Sequence, residues 1–226
     1  MHVQTPPGTS NPPLASPFII DFFHDAVCGW CYVMSPRLRQ VAADLGIQVR
    51  HHSFVLQDSR EQMLHAFGSM ERAKTVILGH WAACAQHDDT QSINIEGMRA
   101  QSFEYPHGML SALACQAAQL LSGEAGHWDY FDAVQRAHLA DSRNIGDMDT
   151  LLAIAVAQGF DGQAFLNAMD SDIAHQRVQA DRAEATRLGV QSIPTLLVFS
   201  RETGQALARL QTQSVEMLKS RLQALL

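Results

Sequence analysis

The sequence predicts an α/β fold in which a βαβ unit and a ββα unit are separated along the chain by a large all-helical insertion. Three observations carry this. An apolar, strand-like run at 18–24 passes into a helix-periodic segment and then a second strand. Residues 57–188 turn rich in Ala, Leu, Met and Gln, with few strand-like runs. Strand patterning returns after Gly189. A chain of 226 residues accommodates one large domain, or a small domain with a second folded piece inserted into it.

Residues 1–17 hold five of the eight prolines and read as a disordered leader. Residues 18–58 and 189–226 are assigned to the α/β domain and 59–188 to the inserted helical domain. In the first part, 18–24 is a buried strand. Tyr32–Leu45 is an amphipathic helix closed by Gly46, and 47–56 is the second strand. Four to six helices are expected in the insertion. They include Met109–Leu121, Trp128–Ala140, Thr150–Gln158 with Asp147 or Asp149 as its N-cap, Phe165–Met169 and Ile173–Leu188. The stretch 90–105 has no clear period. The last part reads as a strand from Pro194 to Phe199, a turn at 201–204, a strand at 205–211, and a helix capped by Ser214 with Val215, Leu218, Leu222 and Leu225 on one face.

A hydrophobic fraction of 46% and a charged fraction of 17% supply a sizeable core. The net charge of −7, with no cluster of Lys and Arg, argues against nucleic acid as a partner. No segment approaches the ~18 apolar residues of a membrane span. The first eight residues lack the basic start and apolar core of a secretory signal, so a cytoplasmic location is expected.

Of the four cysteines, Cys28 and Cys31 form a Cys-Gly-Trp-Cys pair where a strand hands over to a helix. A helix N-terminus stabilises an anion through its unpaired N–H groups and its dipole, which favours a thiolate at Cys28. One turn on, Cys31 is placed to resolve a mixed disulfide. Trp30 reads as a substrate-facing lip. The competing reading, half of a zinc site, needs two more ligands. Cys84 and Cys115 are lone cysteines in apolar segments, and neither His80 nor the His51-His52 pair makes a convincing other half, so no metal is expected. Asp25 is a candidate for tuning the pair or for capping the helix. Asp21 is a candidate proton acceptor for Cys31 or a structural carboxylate. His24 is a candidate contact for the thiolate or a partly exposed histidine.

Pro194 opens a strand, where a residue without an N–H is out of place. A cis Ile193–Pro194 bond facing Cys28 accounts for it, and would leave the Ile193 backbone free to pair with an extended substrate.

Cys28-Gly29-Trp30-Cys31 with Pro36 inside the helix resembles the active-site helix of thioredoxin, and Ile193–Phe199 resembles its cis-proline strand. A helical domain between the second strand and the cis-proline loop resembles the DsbA family, and the lack of a signal resembles its cytoplasmic, FrnE-type branch. The stretch 130–161, with Gln135-Arg136-Ala137-His138, is also similar to those relatives. The resemblance implies a thioredoxin fold and a thiol–disulfide oxidoreductase or isomerase. Cys28 and Cys31 would be catalytic, and Trp30, Ile193 and Pro194 would bind substrate. It implies cysteine-containing peptides or proteins, or small thiols, as partners, and no cofactor beyond the redox-active disulfide, with glutathione as a conceivable co-substrate. Where DsbA has Pro-His between its cysteines, this chain has Gly-Trp, so extreme oxidising power is not expected. The 2-hydroxychromene-2-carboxylate isomerases and kappa-class glutathione transferases are similar in fold but have serine where this chain has Cys28. A glutathione-dependent isomerase or transferase is therefore the alternative, and a non-catalytic peptide-binding chaperone the second.

Overall fold

The computed structural model describes residues 16–225; the leader expected over 1–17 lies almost wholly outside the described residues. Strand β1 (Phe18–His24) turns through 25–27 into helix α1 (Gly29–Leu45), and β2 (Gln48–Ser53) returns parallel to β1 with His51 opposite Phe22. Gly46 ends α1 in the left-handed region at φ +62°. Pro36 sits inside α1. Strand β2 stops short of the expected residue 56, because Val55 takes a left-handed conformation at φ +56°.

Seven helices follow, one more than the upper expectation: α2 (Arg60–Phe67), α3 (Met70–Ala85), α4 (Ile95–Ala100), α5 (Met109–Leu139), α6 (Met148–Ala157), α7 (Gly162–Met169) and α8 (Asp172–Arg187). No strand interrupts them among the described residues. The two expected helices at 109–121 and 128–140 are the halves of α5, which breaks where Gly123 leaves helical geometry at φ +68°. Asp147 rather than Asp149 caps α6 and accepts from the Thr150 N–H at 3.0 Å. The chain then returns as β3 (Thr195–Ser200), β4 (Ala206–Leu210) and α9 (Val215–Gln223), the last capped by Ser214.

The four strands make one sheet in the order β2-β1-β3-β4, with β3 antiparallel to both β1 and β4. The fold is the expected thioredoxin type with a helical insertion. Alternation along β1 assigns its side chains to two faces. Ile20, Phe22 and His24 face one side, where α1, α5 and α9 enclose the main core; Phe23 faces the other with Ala185, Val190 and Leu197. Asp21 shares the Phe23 face. There His52 stands between Asp181, at 2.9 Å, and Asp21, at 3.4 Å. Burial works against the charge of His52, but the bonds to Asp181 and Asp21 outweigh it and push its pKa up to about 9. This cluster ties β1 and β2 to α8.

Candidate functional site

Cys28 is the N-cap of α1, in extended conformation, and its carbonyl accepts the Cys31 and Tyr32 N–H groups at 3.1 and 3.2 Å. Its side chain carries no capping bond, so the sulfur is left for other partners. Both cysteines are free thiols. Cys28 retains 8% exposure and Cys31 none. Burial, together with the hydrogen bond to Cys28 and the charge there, pushes the Cys31 thiol well up. The front thiol is therefore the accessible member, and the rear one stays protonated.

The cis-proline loop closes over this pair. The Ile193–Pro194 peptide is cis, and the Cys28 sulfur lies 3.9 Å from the Ile193 carbonyl oxygen. Trp30, Ile193 and Pro194 line one cleft of about 550 Å³ with Arg37, His87, Ser192 and the 211–214 segment. Sequence reasoning missed Arg37 and His87. The Trp30 ring meets that of His87 at 5.3 Å. Arg37 fixes the His87 loop through Asp89, at 2.7 and 2.8 Å, and the His87 carbonyl, at 2.6 Å; it also reaches the Gln213 carbonyl at 3.2 Å. Nothing local in the sequence announces this, because the groups come from three distant segments.

The helical insertion holds the turn before Cys28. Gln135 of α5 donates to the Cys28 carbonyl at 3.1 Å and lies 3.4 Å from that of Asp25. Tyr105 donates to the Val27 carbonyl at 3.1 Å, and its oxygen meets the Trp81 indole N–H at 3.2 Å and His138 Nε2 at 3.0 Å. Two glycines allow close approach. A Cβ on Gly29 would stand 2.9 Å from the Cys84 sulfur, and one on Gly108 would stand 2.3 Å from Asp25 Oδ2.

The three proposed tuning residues divide. Asp25 is buried at the turn, where its carboxylate accepts the Val27 and Leu56 N–H groups at 3.2 and 2.8 Å. Burial raises its pKa to about 6 against those bonds, and its charge opposes ionisation of Cys31. It supports the turn rather than capping α1, whose N-cap is Cys28. Asp21 does not serve the cysteines. Strand alternation turns it to the α8 face, where Arg50 binds it at 2.9 Å; burial alone would raise its carboxyl, but His52 and Arg50 hold it below the usual range. His24 is neither partly exposed nor a contact of the thiolate. It is 2% exposed, packs on Phe131 with ring centroids 3.9 Å apart, and meets His51. Burial, and then the neighbouring His127 and His52, press its pKa well down.

The geometry has counterparts in known proteins. The family model of the DSBA-like thioredoxin domain matches residues 19–223. A curated relative, the ClpXP adapter protein SpxH of Shouchella clausii, is 23% identical over 89% of this chain, and the chain spans 64% of that relative's length. The cytosolic disulfide reductase DsbM of Pseudomonas aeruginosa superposes with a TM-score of 0.72 at 23% identity, covering 91% of this chain and 99% of that one; it has also been solved with GSH. A 2-hydroxychromene-2-carboxylate isomerase superposes with a TM-score of 0.63 at 19% identity, covering 92% and 95%. At these identities the two structures speak for the fold, while the family model spans nearly the whole described chain, from β1 to the end of α9. The chain belongs to the DSBA-like thioredoxin domain family, which generally catalyses thiol–disulfide exchange.

Proposed function

We propose that this chain is a thiol–disulfide oxidoreductase in which Cys28 attacks and Cys31 resolves. The Cys28 thiolate attacks one sulfur of a substrate disulfide, forms a mixed disulfide, and expels the other sulfur as a thiolate that takes up a proton. Cys31 then loses its proton and attacks the Cys28 sulfur. The substrate leaves with both sulfurs reduced, and Cys28–Cys31 is oxidised by two electrons; run backwards, the same steps oxidise a dithiol. The pair is itself the redox group, and no further cofactor is proposed. The observation that carries the reading is the Cys28 sulfur at the head of α1, 3.9 Å from the Ile193 carbonyl in the Trp30 cleft, with Cys31 sealed behind it. Ile193 and Pro194 form the rail for an extended peptide or a small thiol, and Trp30 forms its lip. No helix among the described residues is long and apolar enough to cross a membrane; the working location we propose is the cytoplasm.

Glutathione is the favoured small thiol, since the DsbM relative has been solved with GSH. The SpxH relative favours a second reading, an adapter that binds a partner polypeptide without exchange chemistry. Turnover of a peptide disulfide and of glutathione disulfide, coupled to an external dithiol reductant, separates them. Cys28→Ser should bring both rates to background, and Cys31→Ser should accumulate a mixed disulfide at Cys28 detectable by mass. Full turnover in Cys28→Ser would overturn the assignment. An inactive wild type that still binds a polypeptide through the cleft would favour the adapter.

A further inference from the structure

Three histidines meet where β1, β2 and the second half of α5 come together. His24, His51 and His127 are 2%, 3% and 0% exposed, and each brings one ring nitrogen within 4.8 Å of one from each of the others. His24 Nε2 and His51 Nδ1 stand 3.2 Å apart. Zn–N bonds of about 2.0–2.1 Å in a tetrahedron put ligand nitrogens roughly 3.3 Å apart. The His24–His51 pair therefore already has the spacing of one edge of such a site, and the three-ring cluster, within 4.8 Å throughout, departs from that spacing by at most about 1.5 Å.

The tautomer of His127 is set from outside the cluster. The Glu124 carboxylate, 3.1 Å from the His51 backbone N–H, takes the Gln119 amide N–H at 2.7 Å. That turns the Gln119 oxygen toward His127 Nδ1, 3.0 Å away. Facing an acceptor, Nδ1 carries the proton, which leaves Nε2 as a bare lone pair. His127 Nε2 is buried without a hydrogen-bond partner, while His51 meets His24 through Nδ1. Around them stand Phe22, Phe131 and Trp128. Unpartnered polar atoms inside an aromatic shell are costly, and a bound cation supplies the missing partner. A side-chain acceptor that fixes the far nitrogen of a histidine is the arrangement metal ligands use.

We propose that His24, His51 and His127 form a three-imidazole site for one zinc ion, separate from the redox pair, with water in the fourth position. A cleft of about 290 Å³ lined by His51, Gln119 and Glu124 gives the ion its route in. Three neutral nitrogen donors suit zinc and its neighbours rather than calcium or magnesium. The ion clamps two strands of the sheet to the insertion.

The test uses the full chain with Cys28→Ser and Cys31→Ser, so that thiolates do not compete. After equilibration with Zn²⁺ and desalting, elemental analysis should find one zinc per chain, and the thermal midpoint should rise with free Zn²⁺. Co²⁺ in its place should give the visible bands of a four-coordinate nitrogen site. His127→Gln should abolish retention, and Gln119→Leu, which keeps all three ligands, should weaken Zn²⁺ binding by about 10–100-fold. No retained zinc together with no Co²⁺ band overturns the proposal, as does binding indifferent to Gln119→Leu. If His127→Gln does not fold, the Co²⁺ spectrum and Gln119→Leu decide.

Discussion

Cys28 and Cys31 are one helical turn apart, yet their surroundings differ as a nucleophile and its resolving partner require. The front residue keeps 8% exposure with its sulfur at the Ile193 carbonyl, while the rear one has no exposed surface and a raised pKa. Alkylation of the reduced protein at neutral pH, mapped by peptide mass, should label Cys28 and spare Cys31, Cys84 and Cys115; faster labelling of Cys31 would reverse their roles. Gly108 makes an equally local prediction. Its hydrogen stands where a methyl group would meet the Asp25 carboxylate at 2.3 Å, and that carboxylate serves the Val27 and Leu56 N–H groups. Gly108→Ala should therefore cost about 2–3 kcal/mol in urea unfolding, the scale of displacing a charged group from its donors. A loss within the ordinary ±0.5 kcal/mol of a neutral surface change would show that Asp25 can move aside.

At the scale of elements, α5 reaches from the insertion to the redox turn. Gln135→Leu would strip the Cys28 carbonyl of its bond from α5, and should cost about 0.5–1.5 kcal/mol as well as raise the hydrogen-exchange rate of the 25–28 amides; unchanged exchange would mean the turn holds itself. The sequence made α1, β1 and the two halves of α5 legible because each carries a repeating apolar pattern. It left 90–105 unread for a physical reason. That stretch is organised by Asp88, whose carboxylate accepts the Thr90, Ser92 and Ile93 N–H groups, and a side chain gathering backbone donors leaves no period behind. The redox pair and its proline were visible as local motifs. Arg37, His87, Tyr105 and the three-histidine cluster were not, since each of these groupings is assembled from elements far apart in the chain. Between the two roles the sequence allows Asp21, only the pairing of β1 decides, because it shows which face the side chain takes.

For the molecule as a whole, pH acts through histidines shut inside. His138, beside Tyr105, has its pKa lowered by burial to about 4. A histidine depressed in the folded state binds fewer protons there than in the unfolded chain. Its contribution is full above an unfolded value near 6.5 and is lost as pH falls from there to about 4, on the order of 3 kcal/mol in all. Unfolding free energy should thus fall between pH 6.5 and 4.5, and His138→Gln should reduce that slope by up to about 1.4 kcal/mol per pH unit; an unaltered slope would place the proton uptake elsewhere. The contact between Gly29 and the Cys84 sulfur bears on how such a molecule can be altered by descent or by design. The dipeptide between the cysteines looks like an interchangeable cassette, and grafting the Pro-His of DsbA into it is the obvious way to change the oxidising strength of the pair. Here a β-carbon at position 29 would stand 2.9 Å from the Cys84 sulfur of α3, so the graft requires that side chain to shift or to give way to a smaller one. The middle of the chain thereby bears on which redox motifs its front end can accept.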